Sequence, residues 1–170
     1  LDKQSGIHLA EAGFVVLCPE NFLWQNATGY KQAVSKFQAR HPGSLGMSKM
    51  LWDAQRAVDI LQSVAGVNDD QIGTFGHSLG AKEVLYLMAF DERIKAGVFS
   101  EGGIAFDSTN WDAPWYLGQG INNPGFSLNH HQLLALCAPR PLLLMGGESG
   151  SGAADGDRSW PYVSEAQNVY

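Results

Sequence analysis

Gly76-His77-Ser78-Leu79-Gly80 constrains this chain more than any other feature. These residues stand between a short apolar run, residues 71–75, and a segment of helix-like composition, residues 81–90. In that setting the pattern G-x-S-x-G predicts a strand that turns sharply into a helix, with the serine at the apex. Such a turn holds its apical residue at strained backbone angles. Glycines on either side let backbone pass where a side chain would collide. The serine oxygen then projects above the sheet, beside the positive end of the following helix, where charge developing on an oxygen is stabilised. Ser78 is therefore the candidate nucleophile, and the backbone N–H of Leu79 is a candidate oxyanion donor.

Strand-like and helix-like segments alternate around this turn. Residues 6–12 read as a helix end stopped by Gly13, and residues 14–18 as an apolar strand buried on both faces and ended by Pro19. Residues 20–44 are aromatic and polar without a steady period and read as an excursion or long loop. Residues 47–64 repeat apolar side chains at three-four spacing and predict an amphipathic helix ended by Gly66. Further strands are expected at 94–100 and 141–145, and a short helix at 129–136. The segment 107–126, rich in Trp, Gly, Asn and Pro, predicts a long loop at the mouth of a site. A last helix should begin at 159, with Ser159 as N-cap and Pro161 in its first turn. This order implies an α/β architecture: a mostly parallel sheet with helices on both faces, in a single domain over residues 1–170. Ligands bind beyond the carboxyl ends of such strands. The chain starts without Met and both ends fall inside helix-like segments, so it reads as truncated at both ends.

Composition excludes several classes. With 17 acidic and 11 basic residues the net charge is -6, which argues against nucleic acid and against an anionic membrane surface. No stretch approaches the roughly 20 apolar residues of a membrane span. Residue spacing suggests no metal site and no phosphate loop, and no cofactor is expected. Cys18 and Cys137 lie in apolar settings and read as buried free thiols, which leaves the compartment open.

A serine hydroxyl needs a base to take its proton and a third group to orient that base. On this architecture the three follow in the order serine, acid, histidine. Asp155, on the loop after the strand 141–145, and Glu101, at the tip of the preceding strand, are the candidate acids. Asp157 and Glu148 are weaker ones. No histidine follows His131, so the base is expected beyond Tyr170. His77 adjoins the serine and reads as packing beside it or lining the pocket. His130 and His131 read as bracing a loop or lining the pocket. A second oxyanion donor is expected upstream of Leu1. Trp111, Trp115 and Tyr116 could stack against a sugar ring or simply cover a sheet edge. Asp53 and Asp59 read as structural, pairing with nearby Arg56.

The chain resembles the α/β-hydrolases, and among them the acetyl xylan esterase-like and glucuronoyl esterase-like carbohydrate esterases. The matching residues are Trp52-Asp53, Ala57-Val58-Asp59-Ile60-Leu61, Gly76 to Gly80, and Asp91-Glu92-Arg93-Ile94-Lys95-Ala96. Ser100-Glu101-Gly102-Gly103, Asn129-His130-His131 and Ala138-Pro139-Arg140-Pro141 complete the set, which covers roughly residues 14–165. The resemblance implies a serine-dependent hydrolase of carboxylic esters on plant polysaccharide, acetyl esters first, working through an acyl-enzyme on Ser78. It also keeps Glu101 in play, because in glucuronoyl esterase-like proteins the acid can follow that strand. Two positions depart: Leu79 replaces the Arg expected after the serine, and Asn129 stands where Asp is expected. A serine peptidase of the same fold and a non-catalytic carbohydrate-binding module remain the alternatives.

Overall fold

A computed structural model of the chain describes residues 4–25, 28–147 and 154–170. Three parallel strands form a sheet in the order β1 (Ile72–His77), β2 (Ile94–Ser100), β3 (Leu142–Met145). Helix α4 (Leu79–Phe90) crosses from β1 to β2 and packs on both. Helix α3 (Gly46–Ser63) and helix α5 (His130–Cys137) lie against α4, and α6 (Trp160–Ala166) lies against α5. Helices α1 (Ser5–Glu11) and α2 (Tyr30–Arg40) precede them.

Side-chain alternation along the strands explains this layering. Ile72, Phe99, Leu142 and Leu144 face α4, where they join Val84, Leu85 and Met88 in the main apolar core. Phe99, Leu85 and Met88 are fully buried; each contributes roughly 1.5–3 kcal/mol relative to exposure. Gly97 permits this approach, because a Cβ there would lie 2.1 Å from the Met88 sulfur. The opposite row, Phe75 beside Val98 beside Leu143, is different: Phe75 and Leu143 are exposed. Among the described residues this second row is the less covered of the two.

A second apolar cluster holds the site's other wall. Phe22, Leu23, Ala33, Val34, Met47 and Met50 pack with Trp111 and Tyr116. The start of α3 is tied to the loop above it, since the Met47 N–H donates to the Tyr116 carbonyl at 3.1 Å. Gly46 is required there: a Cβ would lie 2.3 Å from the Trp115 carbonyl oxygen.

Several expectations are corrected. Residues 14–18 form no strand; they have no ladder partner among the described residues, and Phe14, Val15 and Leu17 are exposed. Cys18 is exposed as a result, while Cys137 is buried. The supposed loop 20–44 contains α2, whose narrow apolar stripe of Tyr30, Ala33, Val34 and Phe37 packs into the second cluster. Ser159 stands at the start of α6 but does not cap it; its hydroxyl donates to Asp155 instead. Asn129 does cap α5, accepting from the His130 N–H at 2.8 Å while Gln132 accepts from the Asn129 N–H at 2.8 Å. The expected pairing of Asp59 with Arg56 is present and extends to Arg93, whereas Asp53 pairs with Lys49.

Arg140 ties the end of α4 to the sheet. Its guanidinium donates to the carbonyls of Met88 and Asp91 at the end of α4, of Leu136 in the last turn of α5 and of Ile94 at the start of β2. An Arg140→Met substitution is expected to destabilise the protein by roughly 2–4 kcal/mol in urea titration. A loss below about 1 kcal/mol would show that water replaces these bonds freely.

Candidate active site

The end of β1 runs into α4 through a single residue. Ser78 sits there at φ 55° and ψ -113°, a left-handed conformation that side chains disfavour. Two contacts impose it. Gly76 packs so closely that a Cβ would lie 2.2 Å from the Gly80 carbonyl carbon, and the Ser78 N–H donates to the Ser100 carbonyl at 2.8 Å. Gly80 itself has open space where a Cβ would stand, so only the first glycine of the motif answers a steric need. Leu79 opens α4, so its N–H belongs to the first turn, where amides lack intrahelical partners.

A cavity of about 270 Å³ opens over this turn. Ser78 comes to it from the turn before α4, Leu79 and Lys82 from α4, and Glu101 and Gly102 from the end of β2. Thr109, Asn110, Trp115 and Tyr116 line it from the loop after β2, with Tyr30 from α2 and Ala154 from the segment after β3. Of the expected residues it thus gathers Ser78, Leu79, Glu101, Trp115 and Tyr116. Trp111 is absent from the wall because it is fully buried, its indole N–H donating to the Gly103 carbonyl at 2.7 Å. That position corrects the expectation that Trp111 offers a face to a sugar. His77 also lies outside the cavity, with Nδ1 3.2 Å from the Ser100 hydroxyl.

The two candidate acids differ in what they hold. Glu101, itself at φ 51°, reaches across to the segment after β3 and accepts from the N–H groups of Gly147 and Ala154. Asp155 reaches the other way: it is buried and accepts from the N–H groups of Gly103 at 2.8 Å and Ile104 at 3.0 Å, and from Ser159. Each carboxylate therefore braces the loop that carries the other, and only Glu101 borders the cavity. Asp157 lies in the turn before α6. Glu148 lies outside the described residues.

His130 is buried, outside the cavity lining. Its Nδ1 lies 2.6 Å from the Ile104 carbonyl, so that nitrogen carries the proton, and Nε2 lies 3.2 Å from the Tyr86 hydroxyl. Burial pushes its pKa down to about 4, with the Lys82 charge adding to the shift and the bond to Ile104 opposing it. His130 thus braces the loop as a neutral ring. Among the described residues no histidine lines the cavity, and no group of three or more His, Cys, Asp and Glu side chains is placed to hold a metal ion. No helix among them is long and apolar enough to cross a membrane. Lys82, Tyr30, Thr109 and Asn110 were missed in the sequence; for Lys82 a signal existed, its spacing of four residues from Ser78 on one helix.

A parallel sheet with a strained serine at a strand-to-helix turn, opening into a cavity at the strands' carboxyl ends, defines an α/β-hydrolase. The chain belongs to the dienelactone hydrolase family, whose model matches residues 2–122. Over 90 residues it is 29% identical to a protein named putative hydrolase YtaP from Bacillus subtilis (strain 168), covering 53% of this chain and 30% of that one. Among solved structures it is similar to a CE15 glucuronoyl esterase from Teredinibacter turnerae T7901, with TM-score 0.69 and 25% identity over 88% of this chain and 41% of that one. A CE15 glucuronoyl esterase from Caldicellulosiruptor kristjansonii shares the fold, with TM-score 0.65 and 21% identity over 88% of this chain and 48% of that one. The chain spans less than half the length of each of these three relatives.

The His130 environment predicts a pH effect on stability. The unfolded ring binds its proton near pH 6.5 and the folded ring near 4, so the unfolded state gains protons first on acidification. Stability should fall from pH 6.5 towards 4, by up to about 3 kcal/mol from this group. In a His130→Asn variant the slope over that window should flatten; equal slopes in both proteins would contradict the assignment.

Proposed function

We propose that this chain carries the nucleophile and the acid of a serine-dependent carboxylic ester hydrolase acting on esters of plant polysaccharide. The observation that carries the reading is the strained Ser78 facing the same cavity as Glu101. Family membership and the likeness to glucuronoyl esterases support the bond type and the polysaccharide. The mixed lining supports it too, since Thr109, Asn110 and Glu101 offer hydrogen bonds and Trp115 and Tyr116 offer ring faces to a sugar.

In this reading the Ser78 hydroxyl adds to the ester carbonyl as its proton passes to a histidine outside these 170 residues. The Leu79 N–H, at the positive end of α4, donates to the resulting oxyanion. Collapse expels the alcohol, which takes the proton from the histidine, and leaves Ser78 acylated. Water then attacks the acyl group by the same route in reverse and frees the acid. Glu101 orients the histidine, while Asp155 holds residues 103 and 104 in place. Acetyl and uronoyl esters are both candidate substrates, and Leu79 in place of Arg after the serine keeps the acetyl reading open beside the likeness to glucuronoyl esterases.

Turnover of acetylated xylo-oligosaccharide and of a methyl uronate ester, measured side by side, tests the proposal. Ser78→Ala should lower kcat at least about 10³-fold, and Glu101→Gln by roughly 10²–10⁴-fold with the fold intact. Full turnover by Ser78→Ala would refute the mechanism. Full turnover by Glu101→Gln together with a folded but inactive Asp155→Asn would transfer the acid's role to Asp155.

A further inference from the structure

Lys82 is a cation in a place that calls for explanation. It lies one helical turn beyond Ser78 on α4, borders the cavity, and is only 3% exposed. Its ammonium donates to the Thr109 hydroxyl at 2.6 Å. It also stands 3.8 Å from the ring centre of Trp111 and 5.2 Å from that of Tyr116. All three partners belong to the loop after β2, which has no helix or strand over residues 101–118. Buried cations held over aromatic faces are attracted to them strongly, because no water competes.

The loop is also held by the Tyr116 carbonyl on α3, by Trp111 against Tyr86 and His130, and by Asp155 at residues 103 and 104; Lys82 adds a charged tie from α4. The loop's own turns are local, with the Tyr116 N–H donating to Ala113 and the Leu117 N–H to Trp111. Trp115 and Tyr116, which wall the cavity opposite Ser78, follow directly from the segment that Lys82 grips. We propose that Lys82 is a positioning residue: its ammonium fastens the 105–118 loop to α4 and so sets the wall against which substrate binds. The consequence for substrate rests on the ester hydrolase reading; the fastening itself does not.

The fastening depends on charge. Burial pulls the Lys82 pKa down to about 7, with the attraction of Asp155 opposing. The other titratable groups around it are Glu83 beside it on α4, Glu101 at the end of β2, His130 on α5, Tyr30 on α2 and Tyr116 on the loop itself. His130, near 4, and Tyr116, pushed up to about 12 by burial, stay neutral between pH 5.5 and 9, whereas burial pushes Glu83 up to about 7, inside that window. Below neutrality the ammonium holds both rings; above it the neutral amine keeps only the Thr109 bond, and the loop loosens.

Near-ultraviolet circular dichroism between pH 5.5 and 9 tests this without substrate, because Trp111 and Tyr116 report their own surroundings. On a Glu83→Gln background, which removes the neighbouring carboxyl that also titrates near 7, a transition centred near 7 is expected, with or without Ser78→Ala. Lys82→Met should abolish it, and Lys82→Arg, charged throughout, should hold the low-pH spectrum up to pH 9. With ester substrate, Lys82→Met should raise KM about ten-fold with kcat within about three-fold, and Lys82→Arg should make KM independent of pH. On the Glu83→Gln background, a transition that survives in either Lys82 variant, or is absent while Lys82 is present, overturns the proposal. A loss of kcat at constant KM also overturns it, since Lys82 would then act on the reacting atoms. Lys82→Arg carries the test if Lys82→Met does not fold. A spectral transition in a full-length protein, histidine included, that cleaves no ester would sink the proposed function and leave the fastening standing.

Discussion

The close passage of Gly76 against the first turn of α4 is the constraint on which the site depends. A single added carbon at residue 76 would sit 2.2 Å from the Gly80 backbone, so the strand and helix meet only because that carbon is missing. Their meeting leaves Ser78 one residue in which to reverse direction, and a left-handed backbone is the result. The strain is local, while its support is distributed. The Ser100 carbonyl takes the Ser78 N–H, Gly97 lets Met88 press against the sheet, and the carbonyls at the far end of α4 are held by Arg140. Strain of this kind persists only where the surroundings over-determine it.

The second organising feature is the exchange of carboxylates between two loops. Glu101 leaves the end of β2 to hold the backbone after β3, and Asp155 leaves the segment after β3 to hold the backbone after β2. Charged acceptors on backbone N–H groups make shorter and stronger bonds than neutral ones. The backbone at residues 103 and 104 and that at residues 147 and 154 are thereby fastened to carboxylates from the opposite segment, and the cavity edge next to Ser78 draws on both. In the functional reading proposed above, this is how an acid at a strand tip is held without a helix to carry it.

Much of this architecture could be read from residue patterns. The G-x-S-x-G turn, the amphipathic α3, the strands β2 and β3 and the short helix α5 follow from local rules that packing did not override. The failures have physical causes. Residues 14–18 are apolar enough for a buried strand, yet a strand exists only where a neighbour accepts its hydrogen bonds, and apolar character alone does not reveal the neighbour. Helix α2 was hidden because only one narrow stripe of it is buried. Trp111 was placed at the surface because a loop rich in Gly and Pro suggests exposure, whereas its ring is held under the loop by Lys82, Tyr86 and His130. The site was half legible: Ser78, Glu101, Trp115 and Tyr116 were named from the sequence, and Lys82, Thr109 and Asn110 were not. Lys82 escaped notice because a lysine next to a nucleophile reads as solvated until its burial is known.

The central claim is that strain and position make the Ser78 hydroxyl the group that attacks. Treating the protein with a fluorophosphonate and mapping the adduct by peptide mass spectrometry tests it most directly. The account predicts one equivalent of label, all of it on the peptide containing Ser78, with none after prior denaturation. Label on another residue, or an unlabelled Ser78 in a protein that still hydrolyses ester, would contradict it.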